Sequence, residues 1–181
     1  MFGKRAGEHA AQYARENSTV NVSESQLESN AKEALTPFER DLNLDKENPF
    51  QIQHDLQDMM QDLVGIARLG NELNEAIEKL QGFWTKAAKA ASGGNRNYNP
   101  GWHTALELKH MLTVAEAIAR AALERKESRG GHYREDFPEK SAEFGKVNIH
   151  VIKDASGEMI IKQIAKEKVR EDLQQVIDEF K

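Results

Sequence analysis

Between Asn48 and Lys126 the apolar residues recur at helical spacing in three successive runs, and this pattern limits the fold more than any other feature. In "NPFQIQHDLQDMMQDLVGIARL", Ile52, Leu56, Met59, Leu63 and Ile66 repeat at intervals of 4, 3, 4 and 3. That places them on one stripe of an α-helix. In "ELNEAIEKLQGFWTKAAKAA", Leu73, Ala76 (with Ile77), Leu80, Ala87 and Ala91 form a second stripe, with Trp84 between them. Glu75 and Lys79 make a favourable pair four residues apart on its outer side. A break rich in Gly, Asn and Pro follows, "SGGNRNYNPG". The third run, Trp102 to Lys126, would be about 37 Å long at a rise of about 1.5 Å per residue. Short connections between three such segments predict an antiparallel three-helix bundle.

The third helix has the widest apolar face. Met111, Leu112, Val114, Ala115, Ile118, Ala119, Ala122 and Leu123 spread over about half of its circumference. Glu107 falls within that arc, between Val114 and Ile118. A carboxylate buried there needs a cationic partner, because a lone buried charge is costly. Arg68, Arg129 and Arg134 are the candidates, and Glu107–Arg68 is a candidate buried ion pair. Arg68 lies on the flank of Met60 and Val64, so it reaches Glu107 only if that flank is also covered. The other reading is that Glu107, near the start of its helix, extends to water.

The flanking segments are weaker. "MFGKRAGEHAA" reads as a short helix, with Gly3 and Gly7 spaced for close backbone approach, or as a frayed segment. It has no apolar core of the kind a secretory signal carries. Residues 16–22 read as a break. Ser23 to Leu35 reads as a polar helix with a weak stripe of Leu27, Ala31 and Leu35, ended by Pro37 and "DLNLDKENPF". After Pro138, "KVNIHVI" and "GEMIIKQI" read as two strands joined by the turn "KDASG", a small hairpin. "EKVREDLQQVIDEF" reads as an amphipathic helix carrying Val169, Leu173, Val176, Ile177 and Phe180. The expected class is mainly α, with a C-terminal β-hairpin and terminal helix. The expected divisions are 1–48 (connecting segment), 49–138 (bundle and following motif) and 139–181 (tail).

A net charge of -5 with both signs interspersed argues against nucleic acid as a partner. With no cysteine there is no disulfide framework, thiolate metal site or cysteine nucleophile. No apolar run approaches the roughly 20 residues of a membrane span. The sequence holds no GxGxxG, P-loop, GxSxG or HExxH. His103 and His110 share one side of the third helix, but no third ligand stands at metal-site spacing. No catalytic, cofactor-binding or metal residue is therefore assigned. Met59 and Met60 read as core.

One motif remains, "SRGGHYREDFPEK", Ser128 to Lys140. It has two readings. Gly130 or Gly131 could be the left-handed cap of the long helix, with Arg125 and Lys126 suited to its negative end. Alternatively the segment docks against another surface, since a cap needs one glycine and not the surrounding Arg129, His132, Tyr133 and Arg134.

These residues carry a resemblance. "ALERKESRGGHYREDFPEK" resembles the segment closing the C-terminal helical domain of succinate dehydrogenase and fumarate reductase flavoprotein subunits, where SRG-A-H, an arginine and D-F/Y-P are usual. "LQDMMQDLVGIAR" is similar to a helix of that domain with the pattern M-x-x-x-VGI-x-R. "NPGWHTALELKHMLTVAEAIARAAL" resembles its L-E-L-x-x-M-L-x-x-A-x-x-I helix. "FGKRAGEHAA" looks like the final helix of the flavin-binding domain. The matches are collinear over most of residues 2–138. Two departures stand out: Gly131 replaces the commoner alanine, and "SAEFGKVNIHV" replaces a frequent Trp-x-Lys-His-Thr segment. The second leaves subtype and electron acceptor open.

The resemblance implies a bundle like a spectrin repeat, packed beside a flavin domain. The whole subunit would be an oxidoreductase of the tricarboxylic acid cycle and electron transport. It would interconvert succinate and fumarate, and would exchange electrons through FAD with an iron–sulfur subunit. Membrane-anchor subunits would hold it indirectly on the cytoplasmic side of the inner or plasma membrane. The family's catalytic and FAD-binding residues lie upstream and have no counterpart here, so this piece would lack the FAD-binding and capping domains, bind no FAD and be inactive alone. What carries over is the motif Ser128, Arg129, Gly130, His132, Arg134, Asp136 and Pro138, with Tyr133 inside it, as the element holding the domain against the rest. Alone, the chain is expected to self-associate through its apolar face. Two alternatives are a free-standing helical interaction module and the C-terminal domain of L-aspartate oxidase. The latter usually ends soon after D-F/Y-P, so Lys146 to Phe180 favours the dehydrogenase branch.

Overall fold

Two of the three bundle helices begin in the same way, at an Asn-Pro pair. Asn48 is extended, and its carboxamide oxygen accepts from the N–H groups of Phe50 (2.9 Å) and Gln51 (3.4 Å). Asn99 does the same for Trp102 N–H (3.0 Å). Each satisfies donors that a helix start leaves unpaired, and the proline after it occupies the position where its missing N–H costs nothing.

The computed structural model describes residues 2–17, 21–40 and 47–180. In chain order these hold α1 (Phe2–Glu16), α2 (Glu24–Glu39), α3 (Pro49–Val64), β1 (Ala67–Arg68), α4 (Gly70–Ala87), α5 (Pro100–Glu124), β2 (Tyr133–Arg134), β3 (Val147–Lys153), β4 (Met159–Ala165) and α6 (Glu171–Glu179). The chain divides into Met1–Thr36 and Pro37–Lys181.

In the first unit α1 buries no residue, and a Cβ built on Gly3 or Gly7 would meet nothing within 4 Å. Of the break expected over 16–22, residues 18–20 lie outside the described residues, as do 41–46 of "DLNLDKENPF". Pro37 does not end α2, which continues to Glu39. A proline disturbs the turn before it, through its missing N–H and its ring, so the two residues that follow can still take helical dihedrals. The division at 36/37, and not at 48, follows from what residues 37–40 hold. Pro37 O accepts from Ser92 N–H at 2.8 Å, Phe38 lies 5.6 Å from the Trp102 ring, and Arg40 donates to Ala90 O.

In the second unit α3, α4 and α5 each pack against the other two. The main core joins Leu56, Met59 and Val64 of α3, Leu73, Ala76 and Leu80 of α4, and Leu112, Ala115, Ala119 and Ala122 of α5. A smaller cluster of Ile52, Ala90 and Leu108 lies beside it, with Phe83, Ala87 and Met111 packed against both. Two expectations change. Ile66 is 81% exposed, because α3 stops at Val64 and Gly65 turns the chain away. The buried face of α5 is turned from the centre of the expected arc by about 30–40°, at about 100° per residue. Leu108, Leu112, Ala115, Ala119 and Ala122 face inward, while Val114 (57% exposed) and Ile118 (44%) face out. Three alanines on that face allow α3 and α4 to approach closely, so the small side chains win the core over the larger ones.

The hairpin forms as expected, antiparallel, from Val147↔Ala165 to Lys153↔Met159. Its turn is set by Asp154, whose carboxylate accepts from the N–H groups of Ser156 and Glu158 (both 2.9 Å), and by Gly157 at φ 94°. Both strands contact α5. Residues 139–165 are therefore attached to the bundle and are not a separate tail. The terminal helix α6 forms and buries no residue.

Candidate functional site

Three helix ends meet at one pole of the bundle: the C-termini of α3 and α5 and the N-terminus of α4. Unpaired carbonyls make the first two negative, and unpaired N–H groups make the third positive. Arg68 and the motif residues answer each in turn. Arg68 Nε donates to Val64 O (3.1 Å) and Gly65 O (2.8 Å), ending α3. Arg134 Nη1 donates to Ala122 O (2.8 Å) and Leu123 O (3.2 Å), ending α5. The other nitrogens of Arg134 form a bidentate pair with Asp136, both bonds 2.7 Å. Asp136 Oδ2 also accepts from Gly70 N–H at 3.0 Å. The residue before α4, Leu69, has no capping side chain, so Asp136 supplies from a distance what an N-cap residue would supply locally. A bidentate arginine–carboxylate pair thus joins the negative end of one helix to the positive end of the next. The Arg134 side chain is 1% exposed.

A second carboxylate organises the other side. Glu127 is fully buried and is held by Arg125 Nη1 (2.5 Å), two nitrogens of Arg129 (3.0 and 3.1 Å) and Ser141 N–H (2.9 Å). Arg125 continues to Phe144 O and Val147 O, and Arg129 to Ser141 O. The cluster thereby ties the start of the hairpin to the end of α5. The Arg129 hydrogen bonds hold the Glu127 carboxyl at about 2, against the burial that pushes it up. The Arg134 hydrogen bonds likewise hold Asp136 at about 2.

His132 sits between these groups. Its Nδ1 is 2.9 Å from Arg68 Nη1 and its Nε2 is 3.0 Å from Arg125 O. Ser128 Oγ accepts from Arg134 N–H (2.8 Å) and donates to Phe137 O (3.0 Å). Ala67–Arg68 pairs in parallel with Tyr133–Arg134, and Glu135 N–H donates to Arg68 O at 3.0 Å.

Several expectations are corrected here. Neither glycine caps α5, which ends at Glu124 with Arg125 as its C-cap. Gly130 and Gly131 instead close a two-residue hairpin between Arg129 and His132, which exchange both backbone bonds (2.8 and 3.1 Å). The φ of 60° at Gly130 is the reason for glycine there. Glu107 is exposed, with no ion pair among the described residues, and Arg68 is committed to His132 and two carbonyls. The turn of α5 carries Glu107 out to water. The buried carboxylate of α5 is Glu116, which accepts from Arg120 Nε (2.7 Å) and Trp84 Nε1 (3.4 Å). The Glu116/Arg120 spacing of four is the sequence signal that would have found it. Of the motif, Arg134 is buried, Ser128, Arg129 and His132 are partly covered, and Gly130, Tyr133, Asp136, Phe137 and Pro138 are exposed. His103 and His110 are both exposed.

Residues 53–178 match the family described as the fumarate reductase flavoprotein C-terminal region. The chain belongs to that family. The fumarate reductase flavoprotein subunit of Mycobacterium tuberculosis is 33% identical over 162 residues, 87% of this chain and 28% of that protein. The Mycobacterium smegmatis Sdh1 complex in the apo form matches with a TM-score of 0.81 and 38% identity, over 95% of this chain and 30% of that one. Adenylylsulfate reductase from Archaeoglobus fulgidus matches with a TM-score of 0.75 and 25% identity, over 91% of this chain and 28% of that one. The chain thus spans under a third of the length of each of these proteins. No helix is long and apolar enough to cross a membrane among the described residues.

Members of this family belong to FAD-dependent flavoproteins. The polar cluster at this pole does not fit that cofactor. The guanidinium groups of Arg68, Arg125, Arg129 and Arg134 are all bonded within the chain. Among the described residues no buried side-chain nitrogen or oxygen lacks a partner.

Proposed function

We propose that this chain is the C-terminal helical part of a succinate dehydrogenase or fumarate reductase flavoprotein, and that it acts as scaffolding. In the whole subunit, redox chemistry between FAD and a dicarboxylate, with electron exchange to an iron–sulfur subunit, is carried by other residues. The protein sits peripherally at the cytoplasmic face of the membrane through its partner subunits. The occurrence of a similar domain in a protein named adenylylsulfate reductase supports this reading, because a part shared by proteins of different names need not carry the reaction.

One observation carries the docking role. The polar members of the motif spend their hydrogen bonds inside the chain, while apolar residues beside them stay open. Ile66, Tyr133 and Phe137 are exposed at the polar seam. A groove of about 410 Å³ between α3 and α5, lined by Leu56, Met60, Met111, Val114 and Ile118, is open as well. Such patches are the usual mark of a covered surface. The partner is the FAD domain of the same subunit. Arg129, Arg134 and Asp136 act indirectly, by fixing the shape of that surface.

The purified 181-residue chain, incubated with FAD and desalted, is expected to show no flavin absorbance and no turnover of succinate or fumarate. In the complete subunit, Tyr133→Asp and Val114→Asp are expected to lower the melting temperature and release flavin more readily. Stoichiometric FAD on the isolated chain would overturn the proposal. So would both substitutions leaving melting and activity unchanged.

A further inference from the structure

The hydrogen bonds of His132 leave it no choice of state. A guanidinium has donors and no acceptor, so the 2.9 Å contact from Arg68 Nη1 requires a lone pair on Nδ1. A carbonyl only accepts, so the 3.0 Å contact to Arg125 O requires the proton on Nε2. Only the neutral Nε2–H tautomer satisfies both. A second proton would place N–H against N–H and a positive imidazolium against a positive guanidinium.

The surroundings make that worse. Three arginines face the ring: Arg68 from β1, Arg125 from the end of α5 and Arg134 from β2. The nearby carboxylates do not compensate, since Glu127 is bonded to Arg125 and Arg129 and Asp136 to Arg134. The bond at stake is not a surface detail. Arg68 ends α3 and belongs to the short strand paired with Tyr133–Arg134. Apart from that backbone pairing, the Arg68–His132 bond is a direct side-chain tie between the α3–α4 corner and the segment after α5.

We propose that His132 is an acid-sensitive latch. Neutral, it holds the α3–α4 corner to the segment following α5; protonated, it releases Arg68 and loosens the β1–β2 pairing. The direction of its titration agrees. Burial, together with the charges of Arg68, Arg134 and Arg125, pushes the ring below its ordinary value, against the support of the Arg125 carbonyl. The folded value lies below the unfolded one. The stability the latch contributes is therefore complete above about 6.5, the ordinary histidine value, and is lost as pH falls from there through the depressed folded value, where the latch itself opens.

The test uses the chain itself. Imidazole ¹⁵N resonances should show His132 as the Nε2–H tautomer at neutral pH and titrating below the ordinary histidine value of about 6.5. The amide of Glu135 donates to Arg68 O and reports the strand pairing. Corrected for intrinsic rates, its protection from hydrogen exchange should fall roughly tenfold as pH is lowered from neutral through the His132 titration seen in those resonances, the scale of one lost charge-assisted bond. In His132→Gln, which can accept from Arg68 and donate to Arg125 O without titrating, that fall should disappear. A Glu135 amide that loses protection equally in both proteins would overturn the latch. If the variant does not fold, the wild-type resonances decide: an Nδ1–H tautomer, or titration at or above about 6.5, ends the proposal.

Discussion

α5 and α6 invite comparison because each is amphipathic and they end so differently. α6 has the cleaner pattern: Leu173, Val176 and Ile177, with Val169 and Phe180 beside them, form one narrow stripe, and all five are exposed. α5 has the more diffuse pattern, yet Leu108, Leu112 and Ala119 are fully buried. The difference lies in what surrounds them. α5 has two helices against its face and a polar cluster tied to its end. An apolar stripe shows that a helix has a face to cover, and only a neighbour determines whether it is covered.

The end of α5 offers the largest test of this comparison. Arg134→Ala strips the cap from Ala122 and Leu123 and leaves Asp136 without its bidentate partner. The loss should be about 3–5 kcal/mol in denaturant unfolding, the range for breaking a buried pair by removing one side. Next comes the face itself. Leu112→Ala should cost about 2–5 kcal/mol through lost burial and the cavity left behind. Leu173→Ala in α6 should change stability by no more than about 0.5 kcal/mol, as surface substitutions do. A comparable loss from both would show that α6 is packed in solution after all.

The third test separates the polar cluster from the latch by pH. Glu127 and Asp136 are held at about 2, below their unfolded values of 4.5 and 3.8, by hydrogen bonds from Arg129 and Arg134. Carboxylates depressed in the fold bind fewer protons there than in the unfolded chain. Their contribution is thus complete above about 4.5 and is lost as pH falls through about 2. Melting temperature should accordingly drop below pH about 4, and that drop should persist in His132→Gln. In Glu127→Gln that acid drop should shrink, and the variant should be less stable than wild type at neutral pH. An unchanged acid profile would remove Glu127 from the account.

Much of the fold was legible before any coordinates. The 3.6-residue recurrence gave three helices, the alternation in "KVNIHVI" and "GEMIIKQI" gave the hairpin, and "KDASG" gave its turn. These are local properties of residues near one another in the chain, so local chemistry suffices. The motif at Ser128 was legible as unusual, but its meaning was not. Reading its arginines as reaching outward missed that three helix termini converge there and need donors and acceptors of their own. The Glu107 pairing failed for a related reason. The physics of the argument held, since the buried carboxylate of α5 does carry an arginine, but the carboxylate is Glu116.

Helix placement, strand pairing within the hairpin and family membership could all be read from the order of side chains along the chain. The choice of inward face on α5, the partners of Arg68 and Arg134, and the single tautomer open to His132 came only with assembly. The decisive contacts join groups 12, 64 and 66 residues apart in sequence. Periodicity cannot carry that information, because it records which way a side chain leaves its own helix and nothing of what it meets.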